Sequence, residues 1–350
     1  MDEEYNQEEG FSRSRRDFAK KALAFGLGVY AVGPAAFAQE SSDEVQDKTP
    51  ITRLSGHYAF VHGEDQPIHL DLSENADKVF YTASLIKLVT LAAIFEDVRS
   101  GKMDWNDKIK VSNRAMNMSE HTSWYQELSV RDACEMAGSI SLNDAAMALA
   151  ERLGAGAPTT GYVTDKISRE LEQKCVTERM MPLVKDLGMH DTLCANATGF
   201  PIYSKAEARN HFRSMGDLPN SHSTMKDMAI LASHILSEYP DYVDVFSVPY
   251  VDMYAQKPTK IYSSNLLLPG NNRNSAEPYD GVFGMKTGFI NASNHNLICL
   301  KEVEDKTIVS ITIGSKQRGQ VKDQTAAMDN AVEAFQSRQL AKLDLGPEHP

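Results

Sequence analysis

The sequence predicts an α+β fold, α/β in the wider sense: an antiparallel sheet formed by both ends of the chain and packed with helices, plus a mostly helical lobe. Three observations carry this. Strand-like runs stand at the two ends, HYAFVH and PIHLDL within His57–Leu72 and then Val282–Phe289, Asn296–Leu300 and Thr307–Ile313. Apolar residues between them recur at helical spacing. The 350 residues, 42% hydrophobic and 24% charged, bury a large core without help from a metal or disulfide.

Taken in order, the runs HYAFVH and PIHLDL flank Gly63-Glu64-Asp65 and read as a hairpin. Thr82 is placed to cap a helix in which Leu85, Leu88, Val89, Ala92 and Phe95 share a face, with Gly101 as the stop. Residues 104–128 are loop-rich and hold both tryptophans, Trp105 and Trp124. Ser129-Val130-Arg131-Asp132 is a capping-box pattern opening a helix that ends near Gly138. After a break at Ser139–Asn143, a second helix runs from Asp144 to Leu153. The charged stretch Gly154–Leu187 reads as helical, Ser223–Tyr239 as an amphipathic helix, and Ala326–Phe335 as the closing helix. A cleft between sheet and helical lobe is the expected place for a site.

The N-terminus reads as an address. Ser14-Arg15-Arg16-Asp17-Phe18 carries paired arginines, the stretch Ala22–Ala38 has no charge, and Ala36-Phe37-Ala38 has the small-x-small shape of a cleavage site. Residues 1–38 thus resemble a twin-arginine export signal, and the expected location is the periplasm or cell envelope. A single transmembrane anchor is the alternative. The uncharged stretch is short for a span and diluted by Gly26, Gly28, Gly33 and Pro34. Residues 39–50 are a polar lead-in, 51–337 the folded domain and 338–350 a short tail.

Lys plus Arg total 36 against 48 for Asp plus Glu, a net charge of −12. Such a chain repels phosphate backbones, so nucleic acid is excluded as a partner. The four cysteines (Cys134, Cys175, Cys194, Cys299) show no C-x-x-C spacing. Export would allow a disulfide, Cys175 with Cys194 for instance, and buried free thiols are the equal alternative.

Three short motifs hold the chemistry. In Ser84-Leu85-Ile86-Lys87 the hydroxyl and amine sit three residues apart, on one face of a helix start. A serine nucleophile needs a base within hydrogen-bond reach, and lysine serves when burial keeps it neutral. Ser223-Thr224-Met225-Lys226 has the same spacing, but there the hydroxyls read as helix caps. In Ser141-Leu142-Asn143 a hydroxyl is placed to pass a proton and a carboxamide to hold a substrate amide. Capping by either residue is the plainer reading, and Ser73-Glu74-Asn75 and Ser263-Ser264-Asn265 share the pattern. In Lys286-Thr287-Gly288 a cation and a hydroxyl in a strand make a receptor for a carboxylate, and Gly288 allows close approach to the backbone. The N–H groups of Ser84 and Phe289 are then placed for an oxyanion hole.

These motifs, in this order on helix start, interhelical loop and strand, resemble those of the serine D-alanyl-D-alanine carboxypeptidases, the low-molecular-mass penicillin-binding proteins. The likeness runs from about Ile51 to Phe335. It includes TASLIKLVTLAAIFEDVRSGKMDWNDKIKVS, ISLNDAAMALAE, LGMHDTLCANATGF, STMKDMAILASHIL and DGVFGMKTGFINASNHNLICL. The resemblance implies a β-lactamase/transpeptidase-like fold, no cofactor and no metal. Its implied partners are peptidoglycan stem peptides, with β-lactam antibiotics as covalent inhibitors. By it Ser84 is the acylated nucleophile and Lys87 its base, while Ser141 and Asn143 assist proton transfer and substrate placement. Lys286, Thr287, Gly288 and Phe289 bind the substrate.

The family's basic residue near the last helix has Arg318 and Lys322 as candidates, and its His-Gly pair stands here as Thr198-Gly199. The stretch Gly154–Leu187 is longer than the family's usual connection, and no C-terminal membrane anchor is evident. A β-lactamase is one alternative, although the Glu-x-x-Leu-Asn pattern that activates a deacylating water is missing between Asn143 and Lys286. A non-catalytic D-Ala-D-Ala-binding protein is another, but it would have no use for a neutral lysine.

Overall fold

The computed structural model describes residues 49–63, 67–118, 127–158, 162–200, 220–254, 258–273, 278–317 and 319–344. The signal-like segment 1–38, the lead-in up to residue 48, Glu64 and Asp65 of the hairpin turn, Trp124, Arg318 and residues 345–350 lie outside them.

The chain opens with β1 (Gly56–His62), β2 (Ile68–Glu74) and the short β3 (Phe80–Tyr81). A 3₁₀ turn (Ala83–Ile86) runs straight into α1 (Lys87–Arg99). Next come β4 (Lys108–Lys110), α2 (Asn113–Met116) and β5 (Glu127–Ser129). Helix α3 (Val130–Glu135) continues as a π turn (Met136–Ile140), followed by α4 (Asn143–Ala155) and α5 (Asp165–Lys174). A second π turn (Cys175–Met180) leads into α6 (Met181–Asp186). Then follow β6 (His222–Ser223), α7 (Met225–Glu238), a 3₁₀ stretch (Pro240–Phe246) and the hairpin β7 (Tyr250–Tyr254) with β8 (Pro258–Tyr262). The end supplies β9 (Val282–Ile290), β10 (Asn294–Val303), β11 (Lys306–Ser315) and α8 (Gln320–Asp344).

The main sheet has the order β2-β1-β11-β10-β9, and each neighbouring pair is antiparallel. Its centre is the pairing of β1 with β11, from Gly56 opposite Ile313 to His62 opposite Thr307. The two ends of the chain therefore build one sheet, as the sequence predicts. Both faces are covered. Ile298 and Leu300 of β10 join the large core around α1, whereas Leu297 and Cys299 pack beneath α8 with Met328, Ala331 and Phe335. Burial on both sides is why these strands read as nearly continuous apolar runs.

Helix α1 is the hub of the helical lobe. Leu88, Val89, Leu91, Ala92, Ile94 and Phe95 are all buried, so it is apolar around its whole circumference, as a core helix must be. Three buried polar side chains break that rule, Lys87, Thr90 and Asp97. At its far end Phe95 meets Trp105, Tyr239, Tyr242 and Phe246, with ring centroids 5.5–6.1 Å apart.

Several boundaries differ from the expectation. Thr82 does not cap α1: its hydroxyl donates to the Ser221 carbonyl (3.1 Å), and Ala83 takes a left-handed conformation (φ 48°) as the chain turns in from β3. The capping box holds, Ser129 Oγ accepting from Asp132 N–H, but the helix runs past Gly138 to Ile140 by widening into a π turn. The break shrinks to Ser141-Leu142, and the next helix starts at Asn143. In Gly154–Leu187, α4 takes the first two residues and the later helix begins at Asp165. The closing helix extends to Asp344, so residues 338–344 of the expected tail are helical. Hairpin β7–β8 went unseen in the sequence. All four cysteines are buried free thiols; burial, helped at Cys175 by Glu172, pushes Cys175 and Cys299 up to about 12.

Because Phe95 anchors the aromatic cluster, Phe95→Ala is expected to cost about 3–5 kcal/mol in urea unfolding. A cost below about 1 kcal/mol would remove the cluster from its organising role.

Candidate active site

Ser84 sits in the 3₁₀ turn and Lys87 opens α1. In 3₁₀ geometry residues three apart eclipse, which brings Ser84 Oγ to 2.6 Å from Lys87 Nζ. Two other chain segments press on the backbone just before Ser84. A Cβ on Gly288 of β9 would lie 2.7 Å from the Thr82 carbonyl oxygen, and one on Gly199 would lie 1.8 Å from that of Ala83. Gly199 also has φ 73°, so glycine is needed there twice over. The serine turn is thus wedged between the edge strand of the sheet and the 196–199 turn.

Lys87 is fully buried, and Nζ has three partners: Ser84 Oγ at 2.6 Å, Asn143 Oδ1 at 2.8 Å and the Thr198 carbonyl at 2.9 Å. A neutral amine has two N–H donors and one lone pair. The same three oxygens would also serve the three donors of an ammonium; in the neutral form two of them take the N–H groups and the Ser84 hydroxyl can meet the lone pair. Burial drives the amine down from 10.5 to about 7, and the carboxylate of Asp144 limits the fall.

Lys286 is the second buried amine. It donates to Ser141 Oγ (2.6 Å) and to the Thr287 carbonyl (2.9 Å). Burial and then the proximity of Lys87 hold it well below the ordinary lysine range. Ser141 adopts a left-handed conformation (φ 72°) at the end of the π turn. No side chain caps α4, so capping by Ser141 or Asn143 is ruled out. Asn143 aims at Lys87 and Ser141 at Lys286. Thr287 is nearly buried and its hydroxyl pairs with Ser264 Oγ. Phe289 is half-exposed and stacks on His295 with centroids 4.4 Å apart.

The three motifs therefore meet. Ser84, Lys87 and Asn143 form one linked group, and Ser141 and Lys286 form another beside it. The look-alike segments do different work. Thr224 caps α7 by accepting from Asp227 N–H, and Ser223 pairs with Thr192. Ser263 donates to the Ser139 carbonyl, and Asn265 to that of Gly284. Segment 263–265 thereby ties the π turn before Ser141 to β9. Asn75 donates to the Ser55 carbonyl at the sheet's other edge. Lys322 is exposed on α8.

Sequence reasoning set Thr198-Gly199 at the family's His-Gly pair and Ser264 in a look-alike segment, but missed the Thr198 carbonyl's bond to Lys87 and the Ser264 bond to Thr287. It also missed Asn196. That carboxamide oxygen accepts from Thr198 N–H (3.0 Å), Thr198 Oγ1 (3.1 Å) and Gly199 N–H (2.7 Å). The Asn-x-Thr-Gly spacing of a side-chain-stabilised turn was the available signal. Among the described residues no His, Cys, Asp and Glu cluster could hold a metal ion.

Over residues 69–317 the chain matches the family described as D-alanyl-D-alanine carboxypeptidase, peptidase S11. It is 22% identical over 331 residues to D-alanyl-D-alanine carboxypeptidase DacF of Bacillus subtilis (strain 168), covering 91% of this chain and 72% of that one. With D-alanyl-D-alanine carboxypeptidase DacA of Haemophilus influenzae the identity is 23% over 291 residues, covering 81% of this chain and only 63% of the relative. The structure of penicillin-binding protein D2 from Listeria monocytogenes in its ampicillin-bound form superposes with a TM-score of 0.57 at 25% identity, covering 81% of this chain and 99% of that one. The matched span includes every element from β3 to β11, and with them all three motifs: the chain belongs to the D-alanyl-D-alanine carboxypeptidase family, peptidase S11.

Proposed function

We propose that the protein is a serine D-Ala-D-Ala carboxypeptidase that removes the terminal D-Ala from peptidoglycan stem peptides through an acyl-enzyme, and that penicillins acylate the same serine. One observation carries the reading: Lys87 is a fully buried amine, brought down to about 7 by that burial, and it lies 2.6 Å from a hydroxyl. A lysine that only bound an anion would not need its proton removed.

The steps follow from the geometry. Lys87 takes the Ser84 proton as Oγ bonds to the carbonyl carbon of the penultimate D-Ala. The N–H groups of Ser84 and Phe289 hold the oxyanion. The C–N bond then breaks, and the departing amine of D-Ala collects a proton through Ser141, which is resupplied across its 2.6 Å contact with Lys286. The proton that Lys87 took restores Lys286, and the neutral Lys87 then deprotonates the water whose oxygen bonds to the ester carbonyl carbon, the proton passing to Ser84 Oγ as it leaves. Asn143 holds the substrate amide. Thr287 and Lys286 hold the terminal carboxylate, whose charge favours the ammonium form of Lys286 that burial alone disfavours. Cross-link cleavage would use the same groups. Residues 1–38 act as a twin-arginine export signal that delivers the domain beginning near residue 51 to the cell envelope. Among the described residues no helix is long and apolar enough to cross a membrane.

Labelled penicillin followed by peptide mapping is expected to place the adduct on Ser84, and Lys87→Ala to slow labelling by roughly 10²–10⁴-fold with the circular dichroism unchanged. Labelling at the wild-type rate would take the base role from Lys87. The neutral fraction of Lys87 grows as pH passes its value of about 7, so acylation should rise on the acid side and level off above it. A rate still climbing toward 10 would mean an ordinary lysine. Thr287→Val should weaken turnover of peptides ending in a free carboxylate by roughly tenfold, the worth of one charge-assisted hydrogen bond. Wild-type enzyme that treats amidated and free C-termini alike would contradict the carboxylate receptor.

A further inference from the structure

We propose that Glu172 is a positioning residue for the acylation base: α5 brings its buried carboxylate against the Ala197 N–H, and this clamps the turn whose Thr198 carbonyl holds Lys87. The inference rests on the reading of Lys87 as base and adds a role for the long 154–187 stretch.

The 196–199 turn lies between two helices. On one side both of its central carbonyls face α1. Ala197 O accepts from Thr90 Oγ1 (3.2 Å) and Thr198 O from Lys87 Nζ (2.9 Å). Thr90 follows Lys87 by three residues, so both bonds come from one face of the helix. On the other side the N–H groups of Ala197, Thr198 and Gly199 are consumed. Asn196 Oδ1 takes those of Thr198 and Gly199, and Glu172 Oε1 takes that of Ala197 at 3.3 Å. The Glu172 contact is the one among these that comes from a separate helix.

Glu172 is itself held firmly. It is 5% exposed, and its other oxygen lies 2.5 Å from Arg114 Nη2, a guanidinium that is 8% exposed. Arg114 also donates to Ser168 Oγ (3.3 Å). Ser168, like Glu172, belongs to α5, and its hydroxyl together with that of Ser112 donates to Glu151. A buried pair of this kind is no gain over well-packed apolar side chains as far as stability goes. An apolar side chain, however, cannot accept a backbone N–H. A carboxylate fixed from behind by an arginine can, and an unmet N–H at that depth would shift the turn. The chain thus places an ion pair where the turn needs a rigid acceptor. The charged and titratable groups facing Lys87 are Asp144 and Lys286, and those facing Glu172 are Arg114, Glu151 and Cys175.

The test compares two double variants of the full chain by NMR of ¹³Cε-labelled lysine and by penicillin acylation. Arg114→Met with Glu172→Gln removes the charges but keeps a carbonyl acceptor for Ala197. Arg114→Met with Glu172→Leu removes the acceptor as well. The first pair should keep the Lys87 titration midpoint and an acylation rate within about twofold of wild type. In the second, the lost Thr198 carbonyl, which favours the ammonium, should move the midpoint down by about one pH unit. Acylation above the midpoint should then fall roughly tenfold or more. An unmoved midpoint in the second pair overturns the proposal whatever happens to its thermal stability, and so does an equal shift in both pairs. Should the leucine pair fail to fold, Arg114→Met with Glu172→Ala makes the same comparison with a side chain too short to reach Ala197. The titration needs no substrate, so a wild type that took no penicillin on Ser84 would sink the proposed function and leave this comparison readable.

Discussion

Two lysine amines without exposed surface set the terms for everything around them. A buried ammonium costs several kcal/mol unless it is paired, so the interior selects the neutral form. A neutral amine still has to satisfy two donors and a lone pair. Lys87 meets that demand from three places: Ser84 one turn earlier, Asn143 at the start of α4 and the backbone of Thr198. Convergence of distant segments is therefore a condition of burying the lysine at all. A chain that left Lys87 half-exposed would need none of it, and would have an amine titrating too high to activate a hydroxyl.

Close approach of backbone is the second requirement, and it is met by leaving atoms out. The edge strand and the 196–199 turn reach the serine turn only because positions 288 and 199 carry no Cβ. The sheet fixes the edge strand through β10, and β10 through the pairing of first and last strands. Segment 263–265 then joins β9 to the π turn that ends at Ser141. The first motif is thus held by Gly288 of the third and by the 196–199 turn, while segment 263–265 ties the second to the third.

The sequence made the sheet, the central helix and the two lysines that meet the second motif legible for plain reasons. Lysine inside an apolar strand and serine three residues before lysine at a helix start are conflicts with composition, and conflicts mark function. What stayed hidden has physical causes of its own. Thr198 acts through its carbonyl, a group every residue has. Ser264 lay inside a Ser-x-Asn pattern that reads as a rival to the second motif and proves to be its support. Thr82 has the side chain of a cap, but a left-handed Ala83 turns the backbone out of capping geometry. The widening of α3 into a π turn moves its end by two residues without any change in hydrophobic period. Hairpin β7–β8 lacks the tight turn dipeptide that announces one.

The repeat of the first motif shows where its chemistry resides. Ser223 and Lys226 have the spacing of Ser84 and Lys87, and both pairs stand at a helix start. At 223–226 the neighbouring Thr224 caps the helix, Ser223 is bonded to another hydroxyl, and Lys226 is partly exposed. At 84–87 the same spacing is enclosed by a strand edge, a glycine turn and a carboxamide, so that the amine loses its water and faces one O–H. Spacing supplies reach, while enclosure supplies the base. Only the fold, through elements as far along the chain as Thr198 and Gly288, supplies enclosure.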